Sequence, residues 1–71
     1  MTVRGTVTAF DQHRGLGAIK GDDGMVYPFH CTVIADGTRT IAVGTKVEFD
    51  VVAGHLGQWE ATNVFVPERP R

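Results

Sequence analysis

Much of what would classify a short chain at once is scarce in this one. It has a single cysteine, Cys31, among 71 residues, so no internal disulfide can form. A small fold with no second thiol to staple it points to a reducing, cytoplasmic compartment. No apolar run approaches the roughly 20 residues that a spanning helix needs. The opening Met1-Thr2-Val3-Arg4-Gly5 lacks the apolar stretch of a secretory signal. The expectation is a protein with no membrane association.

An excess of one charge is missing as well. Seven Lys and Arg stand against eight Asp and Glu, a net charge of −1. A strongly basic balance would point to nucleic acid directly, and this chain does not offer one. Cations gathered on one face would still permit such binding. Aromatics make up only 8% of the chain, with one Trp.

The chain is also too short for two domains. A core of this size buries only about 60% of the surface its unfolded chain exposes, so any site must lie on the surface of one domain. No segment keeps a helical period over ten residues. What is present is a rhythm of glycines and short β-branched runs. Arg4–Asp11 (RGTVTAFD) reads as a strand with Val7 and Ala9 on one side and Thr6, Thr8 and Phe10 on the other. Asp11–Gly15 is a turn, Leu16–Lys20 a second strand, and Gly21-Asp22-Asp23-Gly24 a strong turn signal before Met25–His30.

A longer connection, Cys31–Gly44, is broken at Ala35-Asp36-Gly37, and Val33 with Ile34 could anchor a short helical turn. In Thr45–Val52 the residues alternate, with Val47, Phe49 and Val51 inward. Gly54–Gly57 is a loop, Trp59–Val66 a fifth strand, and Pro67–Arg71 a charged, proline-broken tail read as flexible. Short strands separated by turn signals argue an all-β sandwich or barrel. Closure is favoured because it removes aggregation-prone edges. The domain is expected over 1–66 and the tail over 67–71.

Four segments carry a family resemblance. Gly5-Thr6-Val7, Phe10-Asp11 and Arg14-Gly15-Leu16-Gly17-Ala18-Ile19 resemble the opening of the bacterial cold-shock domain. Phe29–Ile34 is similar to its second motif. Gly44–Val51 resembles its E-G-Q-x-V-x-F-x-V strand, and Glu60-Ala61-Thr62-Asn63-Val64 its Q-A-x-N-V ending. The match runs from about Val3 to Val66. It implies a five-stranded Greek-key OB-fold barrel, no enzymatic activity and no cofactor. The implied partner is single-stranded RNA or DNA, with an RNA-chaperone role, and no small-molecule substrate.

The resemblance also shows what is missing. In the family, outward aromatics of the first three strands stack bases. Here Ala9 stands in place of a tryptophan, Leu16 and Ala18 in place of two phenylalanines, and Pro28 in place of another. Thr8 replaces a lysine, Cys31 takes an often aromatic site, and Thr38 falls near a further phenylalanine position. Each stacked base is worth roughly 1–3 kcal/mol, so the losses predict weak binding, micromolar or poorer. Phe10, Arg14 and His30 remain.

The candidate contacts are therefore Phe10, Arg14, Leu16, Lys20, His30, Arg39 and Trp59. Phe10 stacks a base or packs half-buried across the sheet. His30 matches the family's histidine, or is merely an exposed strand-end side chain. Arg14 grips a phosphate or stacks its guanidinium, or is a solvated turn residue. Lys20 and Arg39 add positive charge beside this face, or are simply solvated, while Asp22 and Asp23 oppose phosphate. Trp59 compensates for the lost platform or caps the barrel. Pro28 must face an unpaired side of its strand or sit at a bulge, and alternation turns Tyr27 and Phe29 inward.

Metal and catalytic signals are poor. His30 and Cys31 are adjacent and point to opposite faces of a strand, and His13 and His55 have no partner at ligand spacing. Gly15 and Gly17 are followed by no helix, which excludes a nucleotide-binding loop. The competing reading is a barrel specialised for protein–protein contact or homodimerisation through Thr8, Ala9, Leu16, Ala18, Pro28 and Cys31.

Overall fold

The structure, a computed structural model, describes residues 2–35, 37–54 and 57–67. Five antiparallel strands form one sheet in the order β3-β2-β1-β4-β5. They are β1 (Thr2–Asp11), β2 (Leu16–Gly21), β3 (Val26–His30), β4 (Lys46–Ala53) and β5 (Trp59–Phe65), with a 3-10 turn at Cys31–Val33. The sheet curls until β5 returns against β3, where Ile34 bridges Val64 in parallel and the Ala35 N–H donates to the Val64 carbonyl at 2.7 Å. This is the Greek-key barrel of the OB fold. The 3-10 turn falls just ahead of Ile34, and residues 68–71 of the expected tail lie outside the described residues, as do His55 and Leu56 of the β4–β5 loop.

The core follows the alternation read in the sequence. Val7, Ile19, Tyr27, Phe29, Val47 and Phe49 are buried with Cys31, Ile34, Ala61 and Val64, and Val51 packs half-buried against them. Phe49 and Ile19 are wholly enclosed. Burying a side chain of that size stabilises the fold by about 1.5–3 kcal/mol, which is a large share for a domain this small.

In β1 the alternation breaks. Val7 pairs with Ile19 but Ala9 pairs with Ala18, so Thr8 is the extra residue of a bulge. A bulge shifts the two-residue period by one. Ala9, expected beside Val7, is exposed, and Phe10, expected outward, turns in and packs against the core. Its ring lies over Phe29 at a centroid distance of 6.0 Å. Gly17 stands between the two strands, and a Cβ there would meet the Phe29 ring at 2.5 Å.

A second shift occurs in β5. Asp50 pairs with Thr62 and Glu48 with Phe65. Asn63 absorbs the extra residue at φ +50°, a left-handed conformation that asparagine tolerates better than most side chains. Its amide donates to Asp50 Oδ2 at 3.3 Å.

Candidate nucleic-acid interface

The outer face of β1–β3 is set by register. Ala9, Ala18 and Pro28 are direct partners across the three strands and form one row. Asp11, Leu16 and His30 form the next row, and Thr6, Lys20 and Val26 lie on the opposite flank. The central row is low and small, with the Thr8 hydroxyl donating to the Ala18 carbonyl at 3.3 Å. Around it stand the exposed side chains of Leu16 and Val26, and Met25 is exposed where the β2–β3 turn ends. Neither Val26 nor Met25 is among the candidates named from the sequence, although the alternation that turns Tyr27 and Phe29 inward leaves Val26 outside.

Pro28 sits in the central row at no cost to the ladder. The Cys31 N–H donates to the Gly15 carbonyl at 2.7 Å, so the odd-numbered residues of this segment bond to β2. The main chain of Pro28 then faces the seam with β5, where its missing N–H is not required.

His30 is held by Thr32. The Thr32 N–H (3.3 Å) and hydroxyl (3.0 Å) both reach His30 Nδ1, which caps the 3-10 turn. With Nδ1 accepting, a neutral ring carries its proton on Nε2. Arg14 stands in the turn before Leu16. There Asp11 Oδ1 accepts from the N–H groups of His13 (3.0 Å) and Arg14 (3.2 Å), which keeps that carboxylate folded back on its own turn. Gln12 donates to Thr40 Oγ1 at 3.3 Å, tying this turn to the loop that carries exposed Arg39.

At the other end, Asp23 Oδ2 accepts from the Tyr27 hydroxyl at 2.6 Å and Oδ1 from the Met25 N–H at 2.9 Å. The Tyr27 hydroxyl, with help from Met25, holds the Asp23 carboxyl below its usual range. The same contact to Asp23 raises the Tyr27 hydroxyl. The two shifts are one interaction seen from either end.

Of the sequence-derived residues, the fold brings Leu16 and His30 together as partners, with Arg14 and Arg39 around one end and Lys20 on the far flank. Phe10 does not join them, since its ring lies on the inner side against Phe29. A shallow groove lined by Phe10, Asp11, Gln12 and His13 leaves part of it accessible. Trp59 stands at the β4–β5 hairpin and is exposed, so it does not cap the barrel. The described residues contain no group of three or more His, Cys, Asp or Glu able to hold a metal. None of their helices is long and apolar enough to cross a membrane.

The sequence profile of the 'Cold-shock' DNA-binding domain matches residues 3–67. The chain belongs to the cold-shock domain family. Members of that family are nucleic-acid-binding modules rather than enzymes. This cold-shock domain is 42% identical over 62 residues to cold shock-like protein CspA of Stigmatella aurantiaca, covering 84% of the chain and 90% of that protein. It is 41% identical over 61 residues to cold shock protein 2 of Lactiplantibacillus plantarum, covering 84% and 91%. Cold shock protein 1 of Arabidopsis thaliana is 37% identical over 65 residues, 89% of this chain but 22% of the plant protein. The chain spans 31% of a second plant relative, glycine-rich protein 2 of Nicotiana sylvestris. Against the two bacterial proteins the cold-shock domain is nearly the whole chain; in the plant proteins it is one part.

Proposed function

We propose that this cold-shock domain binds unpaired RNA or DNA weakly, across the outer face of β1–β3, and acts as an RNA chaperone whose contacts are brief. The observation that carries the reading is the way charge divides around the barrel. Arg14, Lys20 and His30 border the β1–β3 face. There Asp11 and Asp23 turn their carboxylates back onto neighbouring N–H and hydroxyl groups, and Asp22 is the remaining opposing charge. By contrast, β4 and β5 carry Glu48, Asp50 and Glu60 against Lys46. Glu48 is paired with Arg4 at 3.3 Å. A net charge of −1 thus coexists with a face that favours phosphate.

Weakness follows from the Ala9–Ala18–Pro28 row. Without rings there, each base forgoes roughly 1–3 kcal/mol of stacking. The test is a titration with mixed and pyrimidine-rich oligonucleotides at two salt concentrations, followed by tryptophan fluorescence. Saturation in the micromolar range or above supports the reading. Absence of a saturable change at low salt overturns it.

A second reading has one observation in its favour. Leu16 and Val26 are 46% and 58% exposed on either side of a flat row, a surface suited to a partner protein or a second copy. Light scattering across concentrations tests for the homodimer, and a pull-down resistant to nuclease tests for a protein partner.

A further inference from the structure

Among the described residues the exposed large aromatic is Trp59, 58% open to solvent, and the strand pairings fix where it stands. β3 and β5 each lie two antiparallel steps from β1 and so run parallel to one another. They meet where Ile34 bridges Val64. Five residues back from Ile34 is Phe29, and five back from Val64 is Trp59. The 3-10 turn shortens one side of that count by about one residue and the Asn63 bulge shortens the other, so the two offset. Trp59 therefore lies level with Phe29.

Phe29 ends a cross-strand row that begins at Phe10 and passes through Gly17. Both of its rings lie on the inner side and stack. Ala61 is buried, and Trp59, two residues earlier, is on the same side of β5. The indole thus carries the aromatic row across the seam, at the first residue of its strand, where the barrel ends. Phe29 is enclosed and Trp59 is not, so the row comes out to solvent at the rim. His30 follows Phe29 in the chain and pairs with Leu16 on the outer face. One strand spacing and one residue step separate Trp59 from His30, about 6 Å between Cα atoms.

Charge at this rim is sorted in the same sense. Arg14 lies in the turn before Leu16, and Arg39 on the loop that Gln12 holds through Thr40. The Asp11 carboxylate is occupied by its own turn. Glu60 follows Trp59 but lies on the opposite side of β5, and its carboxylate is folded over Gly54, in the place a Cβ would take. The acid is thereby kept off the indole.

We infer that an unpaired strand crosses the rim at the end of β3, with one base stacked on the Trp59 indole and the next against His30 and Leu16. Trp59 is its principal stacking residue. Arg14 and Arg39 take the adjoining phosphates, and Lys20, on the far flank, lies beyond a short strand. The inference rests on the single-strand reading proposed above and moves the strongest contact from the β1–β3 face to the seam with β5.

The test is fluorescence anisotropy of a short labelled oligothymidylate across salt concentrations, with each variant checked for an unchanged Tm. Trp59→Ala should weaken binding roughly 5- to 150-fold, the loss of one stacked base. Trp59→Leu, which keeps apolar bulk at the rim, should fall with it, while Trp59→Phe should keep most of the affinity. Arg14→Ala should make the log–log salt slope shallower by about 0.7, and Lys20→Ala should leave it unchanged. If the wild-type chain binds but Trp59→Ala is silent, or Trp59→Leu binds as well as Trp59→Phe, the rim is refuted while the single-strand reading stands. A slope that responds to Lys20→Ala and not to Arg14→Ala refutes it in the same way. If the wild-type chain does not bind at any salt, both fall together.

Discussion

The rings of Phe10 and Phe29 lie nearly parallel, with planes 16° apart and centroids 6.0 Å apart, on strands separated by the one that carries Gly17. Neither ring could hold this position over a larger residue. A Cβ on Gly17 would fall 2.5 and 2.6 Å from two Phe29 ring atoms and 2.9 Å from the Ala9 carbonyl oxygen. Gly17→Ala should destabilise the barrel by about 1–3 kcal/mol, the usual range for overpacking. Urea unfolding should show a lowered midpoint at unchanged slope.

The Tyr27–Asp23 hydrogen bond makes stability depend on pH in two windows. The folded carboxyl of Asp23 lies below its ordinary 3.8, so its contribution is complete above that value and is lost as pH falls through the folded pKa. The folded hydroxyl of Tyr27 lies above its ordinary 10.0, so its contribution is complete below that value and is lost as pH rises through the folded pKa. Tyr27→Phe should therefore be less stable than the wild-type chain between these limits. The difference should shrink at both extremes. Thermal unfolding across pH measures it, and a constant gap would contradict the assignment.

Asn63 occupies a left-handed position at a bulge. Asn63→Ala should cost about 1 kcal/mol, near the lower end of the penalty for that conformation. Asn63→Gly should recover most of the loss despite giving up the contact to Asp50. Parallel denaturation curves for the two variants test this.

Putting rings back on the low row should strengthen binding. Ala18 sits between Ala9 and Pro28 at the centre of the outer face. Ala18→Phe should tighten single-strand binding, and Ala9→Trp together with Ala18→Phe should tighten it further. Each ring that stacks a base adds roughly 1–3 kcal/mol. Titration with the oligonucleotides used for the wild-type chain would show it.

The barrel was legible in the sequence where one face had to be buried. Val47 and Phe49 alternate with charged residues, and Tyr27 and Phe29 flank a proline that cannot serve the ladder. The Thr8 bulge was not legible, because the small and β-branched residues of Thr-Val-Thr-Ala fit either face. That one inserted residue moved Phe10 off the outer surface and put Ala9 onto it. The position of Trp59 depends on how β5 meets β3, a contact between distant segments that no local pattern encodes. Of the candidate site, Leu16, His30 and the Arg14 turn follow one by one from motif order, and the cross-strand pairing of Leu16 with His30 comes from the register of β2 and β3. The exposed Met25 and Val26 are not among them.

Cys31 is 8% exposed, and its sulfur lies 2.7 Å from where a side chain on Gly15 would begin. An alkylating reagent can reach that thiol only when the chain around it comes apart. This cysteine, useless as a staple, is thus a built-in clock. The pace at which it is labelled under native conditions reports how often so small a domain opens, and comparing that pace with and without an oligonucleotide registers binding without an added dye.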